Sequence, residues 1–466
     1  MRRAVGALTC GVVAAAALVF GPVVQAQAAE SGRFVSMSPA GLPRGSTATV
    51  RAECAPPECG DERNQPTMRV SGVGVTVLRS YTRAKVGCLN CGPAYEVAYF
   101  DVRIDPGAPV GTRDVRATWA NGDVRMCIAC FGVLPTHTTF RAFPVGAEVT
   151  TLDVDGDSEH EIAVGAGPGH APEVRIYRVS RRTGTVGLLS RFLAFEPGFR
   201  GGVHVSGGQA GELVVGAGRG HAPVVKLFGV SATGAARLKT SFLAYAPGFG
   251  GGVTVALIPN RRWYVRGQPL GWIMTGTGPG GGPHVRIWRR RATGGAEEVV
   301  GFLAFGAAFR GGVNVSAAPL SWKDEIQQWI AVGVGPGAAP MVRELVLNVE
   351  NRTARSVRLF SAYSNDFRGG VVPFFAEPAI EGVGWPPGRM FTSTASAARA
   401  HVREFHRTAA RDWQLHDEYL LYSPAVAGGA WITLRPGGGG EDVIGVPHTG
   451  HAADVRIRWS RGHLRT

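Results

Sequence analysis

One stretch of the chain carries a definite ligand pattern: Asp153-Val-Asp155-Gly-Asp157-Ser-Glu159-His-Glu161, directly ahead of the apolar run IAVGAG. Carboxylates at positions one, three and five of a tight loop point inward. The seventh residue, Glu159, can offer its backbone carbonyl, and the ninth, Glu161, a further carboxylate. Hard oxygen donors at this density suit calcium. The twelfth residue is Val164 and the flanks read as strands, so the loop is not an EF-hand. The competing reading is a solvated acidic turn. Either way the loop stiffens a β-turn, because a site built wholly of protein carboxylates leaves little room for substrate.

A second set is cationic. Arg175, Lys226, Arg286, Arg343, Arg403 and Arg456 each stand just beyond a recurring turn such as GAGPGHAP. Repetition puts them at one strand position, so a closed array of the repeats would hold them as a ring. A ring of cations makes a circular site for an anionic partner. Alternatively, each aliphatic stem covers an aromatic of a neighbouring strand. His170 and His221, with His451, occupy equivalent turns and either join such a surface or fill the turn.

Setting Cys10 aside, six cysteines remain: Cys54, Cys59, Cys88, Cys91, Cys127 and Cys130. Their Cx4C, CxxC, CxxC spacing permits a tetrahedral zinc site, but no such site uses all six thiols. An even count in an exported chain reads as disulfides, with fifteen possible connectivities. Neither CLNC nor CIAC opens a helix-like segment of the kind that activates a redox thiol.

Several chemistries lack their signatures. There is no GxSxG elbow, no HExxH helix and no S-x-D-x-G-x-x-W box. The GAGPGHAP turn is not a phosphate loop, since no GK[ST] and no helix follow it. Gly and Pro are what a sharp turn between strands requires. The net charge of +14 is mostly arginine spread through the repeats. No basic run is interleaved with aromatics, so nucleic acid is not expected as a partner. Such a charge fits a solvated basic surface or adherence to anionic envelope polymers.

The elements that hold these residues come from one phrase. VGAGPGHAPEVRIY with RFLAFEPGFRGGVHVS returns as VVGAGRGHAPVVKLF with SFLAYAPGFGGGVTV, and again with wear. Its aromatic strand starts at Phe140, Phe192, Phe242, Phe302, Phe360 and Tyr419, every 50 to 60 residues. That interval marks a stacked or radial repeat fold. Each unit holds four short apolar runs bounded by Gly or Pro, which read as the four strands of a β-propeller blade. FRAF at 140–143 precedes the first unit, while the last unit stops at Trp459 with no aromatic strand after it. The expected fold is therefore all-β: a six-bladed β-propeller over 140–459, closed by strand 140–143, which leaves no open sheet edge.

Ahead of it the chain changes character. Arg2, Arg3, an apolar run from Val12 to Phe20 and small residues before Ala28 read as a secretory signal peptide over 1–28. No later apolar run is long enough to span a bilayer. Residues 29–135 alternate as short strands and hold the remaining cysteines, as an immunoglobulin-like β-sandwich would. A linker at 136–139 and a tail at 460–466 complete the expected division.

DVDGDSEHEIAVGAGPG and FLAFEPGFRGGV resemble the FG-GAP and VCBS repeats of secreted bacterial proteins, whose relatives build the integrin α-subunit propeller. The likeness spans about 140 to 459. It implies one calcium ion in the first blade, held by Asp153, Asp155, Asp157 and Glu161 with the carbonyl of Glu159. The second unit reads SGGQAGEL at that place, so the site should be single. The resemblance also implies adhesion or recognition at a cell surface. The expected role is a secreted, non-catalytic binding or scaffold protein whose partner is a glycan, a cell-wall polymer or a protein. The alternative is an extracellular enzyme of lyase or lactonase type at the channel mouth, which requires His, Asp, Glu or Asn from several blades to converge on the axis. A purely structural part in a surface layer would show no concave polar site.

Overall fold

The computed structural model describes residues 34–460 apart from 39, 55–65, 85–95, 121, 123, 158, 259–271, 292–293, 319–326, 349–350, 377–387, 411 and 436–440. The expected signal peptide, Cys59, Cys88, Cys91 and tail residues 461–466 lie outside the described residues, and Cys54 is described only as the end of the strand Thr47–Cys54. Among the described residues every regular element is a β-strand.

The first repeated unit shows why its sequence folds as it does. Ala147–Leu152, Glu161–Ala166, Glu173–Val179 and Val186–Leu193 pair antiparallel in chain order. The first two strands are buried throughout, the third is largely buried, and the fourth is half exposed. Strands covered on both faces read as continuous apolar runs, as IAVGA does; the first strand also buries Thr150 and Thr151, whose hydroxyls respectively accept from the Gly207 amide at 2.8 Å and donate to the Leu434 carbonyl at 3.1 Å. Four further sheets repeat this order, opening with Val203–Gly207, Val253–Ile258, Val313–Ala317 and Val371–Phe375. The last is Ala430–Arg435, Asp442–Pro447, Ala453–Arg458 and then His137–Phe143 from the other end of the chain.

The opening strands pack on one another in sequence. Ala147–Leu152 meets Val203–Gly207, and so on round to Ala430–Arg435, which packs back on Ala147–Leu152. The sheets therefore stand radially around an axis, as in a β-propeller. The Gly-Gly pair before the second to sixth inner strands makes this possible. A side chain at Gly201 would strike the Arg219 carbonyl, and Gly202, at φ +82°, lies against Pro168 of the preceding sheet.

The closing strand is longer than 140–143. His137 pairs with Arg458 and Thr138 with Ile457, so most of the expected linker belongs to the sheet. Thr138 and Thr139 suit a strand, and Thr138 Oγ1 accepts a hydrogen bond from Trp459 Nε1 at 3.0 Å. A buried polar joint reinforces the same seam. Arg435, 1% exposed, donates to Asp442 at 3.0 and 3.1 Å and to the Val179 carbonyl of the first sheet at 2.9 Å. Arg181, also of the first unit, reaches Asp442 at 2.7 Å.

The N-terminal region forms two further four-stranded sheets. One is ordered Phe34–Ser38, Thr47–Cys54, Glu96–Ile104, Val75–Ala84; the other Gly41–Pro43, Val124–Leu134, Gly111–Thr118, Thr67–Val70. Both contribute to one core that includes Val50, Phe100, Trp119 and Phe131. Cys127 and Cys130 are bonded to each other across a bulge, with Cα atoms 5.7 Å apart. Gly41 and Gly132 of this region lie against the carbonyls of Arg181 and Arg182, in the turn between the third and fourth strands of the first ring sheet.

Candidate functional site

The carboxylate oxygens of Asp153, Asp155 and Asp157 come within 4.8 Å of one another. Asp153 accepts from the Gly156 amide and Asp157 from the Glu159 amide, both at 2.7 Å. Partial burial pushes the Asp157 carboxyl up to about 6; the Glu159 amide opposes this, and the charges of Asp155, Glu159 and Glu161 add to it. Three hard oxygen donors this close together fit a divalent cation. Glu161 is used differently. It is 1% exposed and accepts from Arg178 Nε at 2.8 Å and from the Val154 amide at 3.2 Å. Arg178 also holds Asp155 at 2.7 Å. In the second sheet, which lacks the aspartates, the matching Glu212 is likewise buried, with Arg290 at 2.7 Å and Lys239 at 3.3 Å. An acid at this strand position thus has a partner that owes nothing to a metal.

The six strand-three cations lie at equivalent places, and each reaches the sheet before its own. Arg175 packs 4.5 Å from the centre of Phe143, Lys226 4.6 Å from Phe195, Arg286 5.1 Å from Tyr245 and Arg343 5.8 Å from Phe305. Arg403 and Arg456 lie 5.0 Å from Tyr363 and 5.3 Å from Tyr422. Five also donate to the carbonyl next to that aromatic: Arg175 to Ala142, Lys226 to Ala194 at 2.8 Å, Arg286 to Ala244 at 3.1 Å, Arg403 to Ala362 at 3.0 Å and Arg456 to Leu421 at 2.7 Å. Arg343 donates instead to Ser356 Oγ. Each contact adds a cation–π term of about 0.5–2 kcal/mol. The ring of cations is a set of latches between sheets. His170 and His221 pack on the same aromatics, 5.0 Å from Phe143 and 5.1 Å from Phe195.

Another group meets where the inner strands start. The second residue of each inner strand is Glu148, His204, Thr254, Asn314, Val372 and Trp431 in turn. Thr254 Oγ1 and Asn314 Nδ2 donate to the next inner strand, at Val313 and Val371, which is a structural use. Glu148, His204 and Trp431 converge. His204 Nδ1 pairs with Glu148, whose second oxygen accepts from the Val205 amide at 3.3 Å. The His204 ring stands edge-on to Trp431 at 6.2 Å, and Trp431 to His448 at 5.6 Å. The sheets of His204 and Trp431 are not neighbours, because the first sheet stands between them. Their rings meet only because the inner strands crowd together at the axis.

The electrostatics separate the two imidazoles. Burial pulls His204 down, but the charge of Glu148 and the hydrogen bond to it outweigh burial and raise the pKa. Burial lowers that of His448, with Glu148 opposing and His204 adding to the effect. His448 Nδ1 lies 2.8 Å from the Ala395 carbonyl and so donates to it, which leaves Nε2 as an acceptor in the neutral ring. Trp431 Nε1 is inaccessible and has no hydrogen-bond partner among the described residues. A hollow of about 440 Å³, lined by Val145, Gly146, Pro168, His448, Thr449 and His451, opens on the same face at the seam between last and first sheets.

Sequence reasoning did not single out Glu148, His204, Trp431 or His448. A signal was present: the second residue of the inner strand varies from unit to unit, and His448 stands where the other turns hold Gly167, Gly218, Gly278, Gly335 and Ala395.

No protein-family model and no curated protein matches the chain. Solved structures similar to it include the periplasmic gluconolactonase PpgL of Pseudomonas aeruginosa, at 12% identity and TM-score 0.39, covering 76% of this chain and 96% of that one. The lectin of Aleuria aurantia, described as a six-bladed β-propeller, is 9% identical with TM-score 0.35, covering 66% and 91%. The exotype rhamnogalacturonan lyase YesX is 11% identical with TM-score 0.38, covering 94% and 92%. No helix among the described residues is long and apolar enough to cross a membrane.

Proposed function

We propose that the protein is a secreted binding protein: an immunoglobulin-like sandwich followed by a six-bladed propeller of FG-GAP/VCBS type, which takes a glycan or cell-wall polymer at the axial mouth. The observation that carries this is the convergence of Glu148, His204, Trp431 and His448 beside a hollow. An indole face with hydrogen-bonding groups around it is the usual make-up of a site for a polar, ring-shaped ligand. One calcium ion at Asp153, Asp155 and Asp157 stiffens the loop on the opposite face, and Arg178 limits its affinity by holding Asp155.

A second reading rests on one contact. A carboxylate that orients an imidazole, as Glu148 does His204, is also the beginning of a general base. The test is a binding screen of the mature chain against neutral and acidic glycans and cell-wall polymers, with Trp431→Ala and His204→Gln beside it. Retained binding in Trp431→Ala refutes the axial site. Turnover of a bound polymer that disappears in His204→Gln moves the protein to the enzyme reading.

A further inference from the structure

The axial mouth opens on the face built from the turns between second and third strands and the connections from one sheet to the next. The described residues of those segments include five exposed arginines, Arg200, Arg219, Arg310, Arg368 and Arg399, against two acids, Glu196 and Asp366. Glu196 is itself paired with His221, at 3.2 Å. The guanidinium groups of Arg200, Arg310 and Arg368 are each held over their own loop by Nη1, which donates to two carbonyls there. The charges are therefore displayed at set places. The opposite face differs: it carries the aspartate loop, and the N-terminal sandwich abuts it at Arg181 and Arg182. The cations of the mouth-bearing face are distinct from the strand-three latches, which are spent within the fold.

Building on the axial binding site, we propose that the occupant is an acidic polysaccharide, bearing uronate carboxylates or phosphodiesters. One sugar ring lies at Trp431 and neighbouring anionic units follow the exposed arginines outward. A surface with this excess of one sign concentrates a polyanion and discriminates against neutral chains.

The test compares affinities of the mature chain for polygalacturonate, a ribitol-phosphate teichoic acid, neutral dextran and single-stranded DNA. Arg219→Glu/Arg399→Glu is the diagnostic variant, because those side chains make no hydrogen bond within the fold among the described residues. At least one acidic polysaccharide should bind about tenfold or more tighter than dextran, and should lose about tenfold between about 50 and 300 mM salt. The double reversal should weaken it by a further tenfold or more. The two acidic polymers decide which anion is recognised. Salt-insensitive binding, equal binding of dextran, or an unchanged affinity in the double variant overturns the inference. If Trp431→Ala then still abolishes dextran binding, the axial site survives without its anionic preference. If charge reversal weakens binding and Trp431→Ala does not, the axial site is the part that fails. Equal or tighter binding of DNA overturns the saccharide class.

Discussion

The seam that closes the ring can be broken at a single carboxylate. Asp442, 1% exposed, is shared by Arg435, 1% exposed, and Arg181, 6% exposed. Its other oxygen accepts from the Ser460 amide at 2.9 Å. In Asp442→Asn two buried guanidinium groups face one another without their counter-ion. Removing one partner of a buried pair costs about 3–5 kcal/mol, because the remaining charge is stranded. Arg435→Met is gentler, since Arg181 and Asp442 remain as a neutral pair; the loss is then hydrogen bonds, including the one to Val179, worth about 1–3 kcal/mol. At about 2–4 °C per kcal/mol for a large domain, Asp442→Asn should melt roughly 10 °C below the parent and Arg435→Met about 5 °C below. Differential scanning calorimetry of the protein at neutral pH reads both. An Asp442→Asn transition within about 2 °C of the parent, or the reverse order of the two variants, refutes the account of this joint.

Tyr422 adds a second tie between sheets, because its hydroxyl lies 2.6 Å from the carbonyls of Gly445 and Asp454 in the next sheet. Tyr422→Phe keeps the ring under Arg456 but should lower stability by about 1–2 kcal/mol in urea titration, and no change in midpoint would count against the hydroxyl tie. His204 has a raised pKa, so its stabilisation is complete below the ordinary imidazole value and is lost as pH rises through the folded one. His204→Gln should therefore lose more melting temperature, relative to the parent, at acid than at alkaline pH. His448, held down by burial, should show the reverse, its contribution being lost as pH falls. A flat difference in either case would remove the axial electrostatics. Calcium at about a hundredfold over its dissociation constant should stabilise the parent by about 2.7 kcal/mol. Asp155→Asn should abolish that gain, and a parent whose melting ignores both calcium and EDTA has no such site.

Much of the architecture was legible in the sequence because its causes are local. Gly-Gly ahead of an inner strand, Pro-Gly at a turn and a buried Val run each impose a conformation on their own few residues, and the phrase repeats them. Counting strands was enough to expect that Phe140 to Phe143 would lie beside the sheet ending near Trp459, and Phe140 pairs with Val455 there. The aspartate loop was legible for the same reason, since three carboxylates on alternate residues of one turn need no distant partner. Repetition also located Arg175 and its five counterparts, with two uses left open. Choosing between them required knowing that Phe143, Phe195 and their equivalents stand within reach from the preceding sheet.

The axial cluster shows where local reasoning stops. Glu148, His204 and Trp431 are separated by up to 283 residues and belong to sheets that do not all touch one another. What unites them is the convergence of radial strands on one axis, a property of the closed ring and of no segment within it. Glu161 makes the same point in reverse, because it reads as a ligand until Arg178, from another strand of its sheet, takes its charge. Sequence alone determined which residues recur and how each turn bends. Tertiary structure decided which charges are neutralised inside the fold and which face outward, because pairing and burial depend on atoms that the chain order does not bring together.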